Sequence, residues 1–313
     1  WLGLKIPAPW GGNQINQAEF QQFQEAIARV SGALAFLQAQ HQSAGALLSR
    51  SENDELKQIF LPKMGTGKIA VGVGFSHLRR LGTPPLKALS VEGGFQLHGT
   101  IPWITGYGIF QWLIAAAVLP DDRAVYGMIP FAANQSSTRG SLHFSAPMPL
   151  AAMTATNTVT AEFTRWVLPY DQVLFITPAN AIHKNDLQNV LQHSFYALGC
   201  AKAGLDVVEQ TAPMRSFIQP VFTALNQELL NCRQAIYQAH SQPFNERLIL
   251  RAWAIELAVR CAHAAVTVSS GAANSVHHSA QRIYREALVF TVAGQTPAVM
   301  EATLRRLIRT DSF

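Results

Sequence analysis

Cysteine is scarce in this chain. Only Cys200, Cys232 and Cys261 occur in 313 residues, far apart in segments of helical periodicity, a spacing that excludes a disulfide framework and a cysteine metal site. Reduced, buried thiols in a cytoplasmic protein without a metal are the expectation. Charged residues are also sparse, 14% against 49% hydrophobic, which excludes a disordered chain and leaves enough apolar surface for the cores of two or three domains. The net charge of +5 would suit a polyanionic ligand, but the cations are scattered, with only the short pairs Arg79-Arg80 and Arg305-Arg306; a nucleic-acid stripe is excluded. No apolar run reaches the ~20 residues needed to span a bilayer, and neither a charged leader nor an apolar h-region follows Trp1. A soluble protein without a membrane span is expected. Internal repeats, low-complexity tracts and a His-x-x-x-His pair on one helix face are missing as well.

What is present is a β-rich centre between helical flanks. Gly93 to Thr105, GGFQLHGTIPWIT, alternates apolar and polar positions behind a glycine pair, and His98-Gly99-Thr100 reads as the turn of a hairpin that ends in Trp103-Ile104-Thr105. Trp112 to Leu119 reads as a buried strand, closed by the turn Pro120-Asp121-Asp122. Short runs broken by Gly, Pro, Asn or Asp continue from Ile69 to Ile176, which predicts a compact β-barrel or sandwich. On the N-terminal side, Phe20, Phe23, Ala26, Ile27, Val30, Leu34 and Leu37 place one amphipathic helix over Ala18 to Gln40. A shorter helix is expected from Asp54, as N-cap, to Phe60, ended by Leu61-Pro62. Beyond Asp186, taken as an N-cap, the periodic runs Leu187 to Val208, Ile218 to His240, Glu246 to Ser269 and Arg282 to Arg309 predict four long antiparallel helices.

GGFQLHGTIPWITG resembles the middle-domain signature of the acyl-CoA dehydrogenase superfamily. LGLKIPAPWGG, the long helix after it and LKQIFLPKMGTGKIA are similar to the second part of that superfamily's N-terminal helical domain, whose first helices have no counterpart here. TVTAEFTRWVLPYDQVLF matches its last barrel strand. The resemblance covers nearly the whole chain and implies an α+β fold: N-terminal helices over residues 1–62, a β-barrel domain over 63–178 and a four-helix bundle over 179–313. It also implies FAD as cofactor, with the backbone and threonine of Trp103, Ile104 and Thr105 against the flavin ring. Phe75 and Ser76 stand where relatives carry a flavin-contacting aromatic-x-x-Thr segment; Ser76 replaces the Thr and His77 the following Glu. Gln295 and Thr296 are the matching flavin-side contacts. Gly271 is the one glycine kept from a Gly-Gly-x-Gly loop at the adenylate end. The Arg-x-Phe-Gly segment has only the distant echo Arg215-Ser216-Phe217.

The departures bear on chemistry. Acyl-CoA dehydrogenases remove an α-proton with a Glu while the flavin takes the hydride. Here Arg282-Ile283-Tyr284-Arg285-Glu286 and FTVAGQT occupy the corresponding segment, and the usual Glu position is Ala293 or Gly294. Relatives with the base on the first bundle helix direct attention to Asp186–Gly199, where Asp186 is the only carboxylate; Glu209 follows that helix's expected end. Among the scattered histidines His77, His98, His183, His193 and His277-His278, His77 stands out beside Ser76, with an exposed turn histidine as the plain structural alternative.

The expected function is therefore an FAD-dependent oxidoreductase acting on an acyl thioester, such as a CoA thioester, or a related small substrate. Two alternatives are a flavin-dependent monooxygenase or oxidase on the same fold, which needs no Glu, and a catalytically degenerate paralogue with a binding role. Leu187 to Val208 and Glu246 to Ser269 are apolar around most of their circumference, which predicts a homodimer or homotetramer that covers them.

Overall fold

The computed structural model describes residues 1–136 and 140–308, which fall into two compact units. Trp1–Asn16, Phe36–Pro149 and Thr154–Lys184 form a sheet unit; Gln17–Ala35, Leu150–Met153 and the chain from Asn185 onward form a helical unit.

The strands of the sheet unit are β1 Val71–Gly74, β2 Leu86–Val91, β3 Gly94–Ile104, β4 Trp112–Val118, β5 Arg123–Pro130, β6 Asn134–Ser136, β7 Gly140–Phe144, β8 Val159–Pro169 and β9 Val173–Pro178. They order as β6-β7-β8-β3-β2-β4-β5-β9, with β1 parallel to β4 beside it. Strands β6 and β9 are the two ends of this path, so among the described residues the sheet is open rather than a closed barrel. It nevertheless buries both faces of its middle strands. Leu113, Ala115 and Ala117 of β4 enter a core with β2, β3 and β8, while Ile114 and Ala116 enter a second core. That second core is shared with helices α2 (Gly32–Ser49), through Ala44 and Leu48, and α3 (Asp54–Gly65), through Leu56, Phe60, Leu61 and Met64. A strand buried on both faces needs a continuous apolar run, which is why Trp112 to Leu119 was readable. The Pro120-Asp121-Asp122 turn follows it, with Leu119 and Arg123 bonded across it at 2.7 Å.

The hairpin lies elsewhere than expected. Val91 pairs with Gly94, so the β2–β3 turn is Glu92-Gly93, and β3 runs unbroken through His98-Gly99-Thr100. Gly99 faces a bulge in β8: between the pairs Leu97–Trp166 and Gly99–Phe163 β8 holds one residue more than β3, with Arg165 at φ 50°, while Gly99 itself has φ 122° and a Cβ on it would lie 2.1 Å from the Pro85 carbonyl. A glycine that punctuates a strand for close backbone approach has the local composition of a turn.

Helix α3 differs at both ends. Asn53, rather than Asp54, is the N-cap, accepting from the Leu56 N–H at 3.0 Å, and its Nδ2 donates to the carbonyls of Asp171 and Val173. Pro62 lies inside the helix, which continues to Gly65. The single helix expected over Ala18 to Gln40 is two, α1 Gln17–Val30 and α2, separated by Ser31. The interruption is one residue wide, since Ser31 still donates to Ile27 and accepts from Ala35, and Gly32 beside it packs closely: a Cβ there would come within 2.7 Å of the Met153 methyl and 2.9 Å of the Glu286 carboxyl carbon.

The helical unit holds α1 and the helices α5 Ser194–Thr211, α6 Ile218–Gln238, α7 Phe244–Ser269, α8 Ser279–Val292 and α9 Pro297–Leu307; α4, Ala181–Gln188, precedes them. The expected first run thus begins later. The last divides at residues 293–296, and its expected end, Arg309, lies outside the described residues. Helices α5 and α7 pack on each other, with α1, α6 and α8 around α5 and α6, α8 and α9 around α7. Their all-round apolarity is covered within one chain, so it does not by itself require a second copy. Contact is close because of glycine: a Cβ on Gly199 would meet the Glu25 carbonyl at 2.2 Å, and one on Gly204 the Cys261 carbonyl at 2.6 Å. Gln24 donates to the Tyr196 hydroxyl and Arg29 pairs with Asp206, so α1 and α5 run in the same direction. All three cysteines are free and buried; burial pushes the thiols of Cys232 and Cys261 up to about 12. No helix among the described residues is long and apolar enough to cross a membrane.

Candidate functional site

In the sheet unit the ends of β1 and β3 meet. A Cβ on Gly74 would lie 3.3 Å from Ile104 Cγ1, and one on Gly72 3.5 Å from the Thr105 carbonyl oxygen, so absent side chains on β1 let it lie against Ile104-Thr105. The strand that leads into Phe75-Ser76 thus lies against Ile104-Thr105. Alternation then sorts the side chains: Ile104 points into the core and Trp103, 48% exposed, points out. Thr105 is 8% exposed and its hydroxyl lies 3.3 Å from that of Thr158, which lies 3.1 Å from that of Thr156. Each hydroxyl can donate and accept, so this chain of three can orient a proton toward a ligand atom at Thr105. Phe75 is half-buried, edge-on to Tyr126 at 5.4 Å, and Ser76 is exposed at the start of the 3-10 turn Ser76–Arg79.

His77 is not an exposed turn residue. It is 3% exposed, with Nε2 3.1 Å from the Ala116 carbonyl, to which it donates. Burial holds its pKa down to about 4, so the ring is neutral and committed to the strand beside it. Asp186, in turn, is not an N-cap: it lies within α4, and the next helix starts at Ser194 with His193 before it. Glu209 lies inside α5 and pairs with Lys202 at 3.6 Å.

In the helical unit, Ala293 to Thr296 form the turn between α8 and α9. Thr296 is the N-cap of α9, its Oγ1 accepting from the Val299 N–H at 3.3 Å, and Gln295 is half-buried. No carboxylate stands at Ala293 or Gly294. Arg251 of α7, 3% exposed, donates through Nη2 to the carbonyls of Ala293 (2.7 Å) and Gly294 (3.1 Å) and through Nη1 to that of Val190 (2.9 Å). Gly294 has φ 57°, and a Cβ on it would fall 2.5 Å from His193 Nε2. Neither Arg251 nor His193 was distinguishable in the sequence; each is a lone polar residue in a helical run, and only the tertiary turn gathers them.

Gly271 lies at the other end of α8, about 20 Å away for 14 residues at 1.5 Å each. It is exposed, and nothing lies within 4 Å of where a Cβ would sit. Arg215 and Phe217 are exposed. In the sheet unit the residues present therefore fit a flavin ring, where an exposed indole flanks a buried hydroxyl chain; in the helical unit Gly271, Arg215 and Phe217 offer little built structure for an adenylate. Among the described residues no group of three or more His, Cys, Asp or Glu could hold a metal ion.

Residues 1–68 match the family described as acyl-CoA dehydrogenase, N-terminal domain. No curated protein matches the sequence. Solved structures match nearly the whole chain. Butyryl-CoA dehydrogenase from Megasphaera elsdenii gives a TM-score of 0.79 at 16% identity, covering 98% of this chain and 87% of that one. FkbI, for biosynthesis of the methoxymalonyl extender unit of Fk520, gives 0.80 at 14%, covering 98% and 89%. An acyl-CoA dehydrogenase from Bacillus anthracis, complexed with FAD, gives 0.79 at 17%, covering 98% and 59%. At these identities the likeness is one of fold, and with the N-terminal match it supports the resemblance to the acyl-CoA dehydrogenase superfamily.

Proposed function

We propose that this chain, which has the fold of the acyl-CoA dehydrogenases, is an FAD-dependent oxidoreductase acting on an acyl thioester or a related small substrate. The observation that carries this reading is the end of β3, packed against β1, where an exposed Trp103 precedes the hydroxyl chain of Thr105, Thr158 and Thr156. Bound flavin would supply the two-electron acceptor. The chain's own part is to orient it: Trp103 offers a flat apolar face, the Thr105 hydroxyl a donor and Ser76 a second donor at the surface. The three-part organisation over residues 1–62, 63–178 and 179–313 belongs to the same proposal, as does a cytoplasmic location.

The absence of a carboxylate at Ala293 and Gly294 favours a second reading, a flavin-dependent monooxygenase or oxidase. A third is a degenerate paralogue with a binding role. The visible spectrum of the purified protein separates them. A flavin spectrum bleached anaerobically by an acyl-CoA supports dehydrogenation, and bleaching only by an external reductase supports the oxygen-dependent reading. A protein that is colourless and takes up no added FAD overturns both flavin readings.

We also propose a homodimer or homotetramer. Tyr284, Leu288 and Val292 of α8, and Met300, Leu304 and Leu307 of α9, are exposed at helical spacing, an apolar surface that a second copy would cover. Light scattering showing a monomer at micromolar concentration would refute this.

A further inference from the structure

The positive charge of the chain has one main source. From Leu56 to Val91 the sequence carries Lys57, Lys63, Lys68, Arg79, Arg80 and Lys87 and neither Asp nor Glu, six cations against a net charge of +5 for the whole chain. Lys57 and Lys63 belong to α3, where Lys57 pairs with Asp54 at 2.6 Å. The later cations are gathered by the sheet. Strand β1 pairs with β4 over Trp112 to Ala115, and β2 reaches β4 at Val118, so the turn Ser76–Arg79 and the loop after it fill the gap between the two strands. His77 marks the level: it donates to the Ala116 carbonyl, and the nearby Arg80 charge joins burial in holding its pKa down.

Lys87 follows at the start of β2, level with Val118 on one side and directly opposite His98 of β3 on the other. Arg80, Lys87 and His98 are all exposed. Of the neighbouring acids, Asp121 is taken by Arg123 at 2.7 Å, and Glu162 stands on β8 opposite Thr100, with His143 on its other side. Grouped cations with no carboxylate among them repel one another, a cost that a bound anion removes. The group also lies at a set distance from the flavin-ring end of the sheet. Trp103 is five residues along β3 from His98, and three residues of β4 separate Ala115, level with the end of β1, from Val118. At ~3.3 Å per residue the cations stand roughly 10–16 Å from the exposed indole. His98 and Trp103 both point away from the core that holds Leu97 and Ile104.

We propose that Arg80, Lys87 and His98 form an anion site in the sheet unit that takes the diphosphate of a nucleotide whose reactive end lies at Trp103. This rests on the flavin and acyl-thioester reading above, and narrows it to ligands that carry a nucleotide diphosphate. FAD and a CoA thioester each carry one, set off from the flavin ring by a ribityl arm and from the thioester by a pantetheine arm, chains of single bonds that reach across this span. The planar guanidinium of Arg80 offers paired donors to phosphate oxygens, the Lys87 ammonium a point charge and the His98 ring an N–H. The site holds its ligand and takes no part in bond making or breaking.

The test measures two dissociation constants in wild type, in the Arg80→Gln/Lys87→Gln double variant and, as a control, in Lys63→Gln. That of FAD comes from flavin fluorescence during titration of the apoprotein, and that of S-butyl-CoA from calorimetry on the holoprotein. All three positions are exposed, so the variants should fold as wild type does. The expected result is affinity for at least one of the two nucleotides lowered ~10-fold or more in the double variant, by less at high salt, and unchanged in Lys63→Gln. A loss for FAD assigns the diphosphate to the cofactor; a loss for S-butyl-CoA alone assigns it to the substrate. Unchanged affinity for both, or an equal loss in Lys63→Gln, overturns the site and leaves the oxidoreductase reading standing. Binding of neither FAD nor S-butyl-CoA by wild type overturns both.

Discussion

Replacing Arg251 by Met removes the fork that holds the α8–α9 turn while keeping most of the side chain's length. The hydrogen bonds lost include those donated to Val190, Ala293 and Gly294. Val190 and Ala293 are buried, so two carbonyls are stranded away from water; Gly294 is half-buried and can take a water in exchange. Each stranded acceptor costs about 1–3 kcal/mol, for a gross loss of roughly 2–6 kcal/mol. Removing a buried charge returns part of that, which leaves about 2–4 kcal/mol of net destabilisation. Urea unfolding followed by circular dichroism measures the total. Hydrogen exchange localises it, since the amides of residues 293–300 should lose protection while strands β3 and β8 keep theirs. Arg251→Lys should fall between, because one ammonium cannot span the carbonyls that a planar guanidinium reaches. A loss below ~1 kcal/mol for Arg251→Met, with protection of the turn unchanged, would show that other contacts hold it and refute this reasoning.

Gly294→Ala places a methyl at φ 57° and 2.5 Å from His193 Nε2; it should cost about 1–3 kcal/mol, largely recovered in the His193→Ala/Gly294→Ala double variant, whereas additive costs would mean the two residues do not compete for space. Restoring a carboxylate by Gly294→Glu should fail for the same reason unless His193 is also shortened. His77 has a folded pKa near 4 against an ordinary 6.5; the unfolded chain then binds the proton first on acidification, so its contribution is full above pH 6.5 and is lost as pH falls toward 4. At 1.36 kcal/mol per pH unit this is about 3 kcal/mol, and a His77→Gln protein should show a flatter stability profile over that interval; an equally steep one would assign the acid sensitivity to other groups, such as His41, whose pKa burial also lowers. Thr105→Val keeps shape but removes a hydroxyl from the chain with Thr158, and should cost about 1 kcal/mol and shift the flavin spectrum or affinity; an unchanged holo spectrum and affinity would remove Thr105 from the ring contact.

What could be read in advance follows physical lines. Strand β4 was legible because burial on both faces leaves an unmixed apolar run, and α7 because its 26 residues, free of Gly and Pro, make a run too long for a strand. The hairpin was misplaced because His98-Gly99-Thr100 is composed like a turn, while pairing with β8 keeps it in the strand. The α1–α2 division was invisible because it is one residue wide, at Ser31, with helical hydrogen bonds continuing on both sides. The same holds for the site. Trp103-Ile104-Thr105 is a contiguous motif, but the His193–Gly294 apposition and the Arg251 fork join residues 42 to 101 positions apart, and no local pattern encodes them.

The pairing of α1 with α5 also sets a timetable. Gln24 meets Tyr196 across 172 residues and Arg29 meets Asp206 across 177, with nearly all of the sheet unit encoded between them. At synthesis rates of about 5–20 residues per second, roughly ten to thirty-five seconds separate the emergence of α1 from that of its partner. During that interval Phe20 and Ala28, buried in the finished protein, have no α5 to cover them. The glutamines on the same face, Gln21 and Gln24, make this waiting surface less adhesive than a fully apolar one. A nascent chain arrested before residue 194 should therefore hold an ordered sheet unit and an α1 still open to proteolysis.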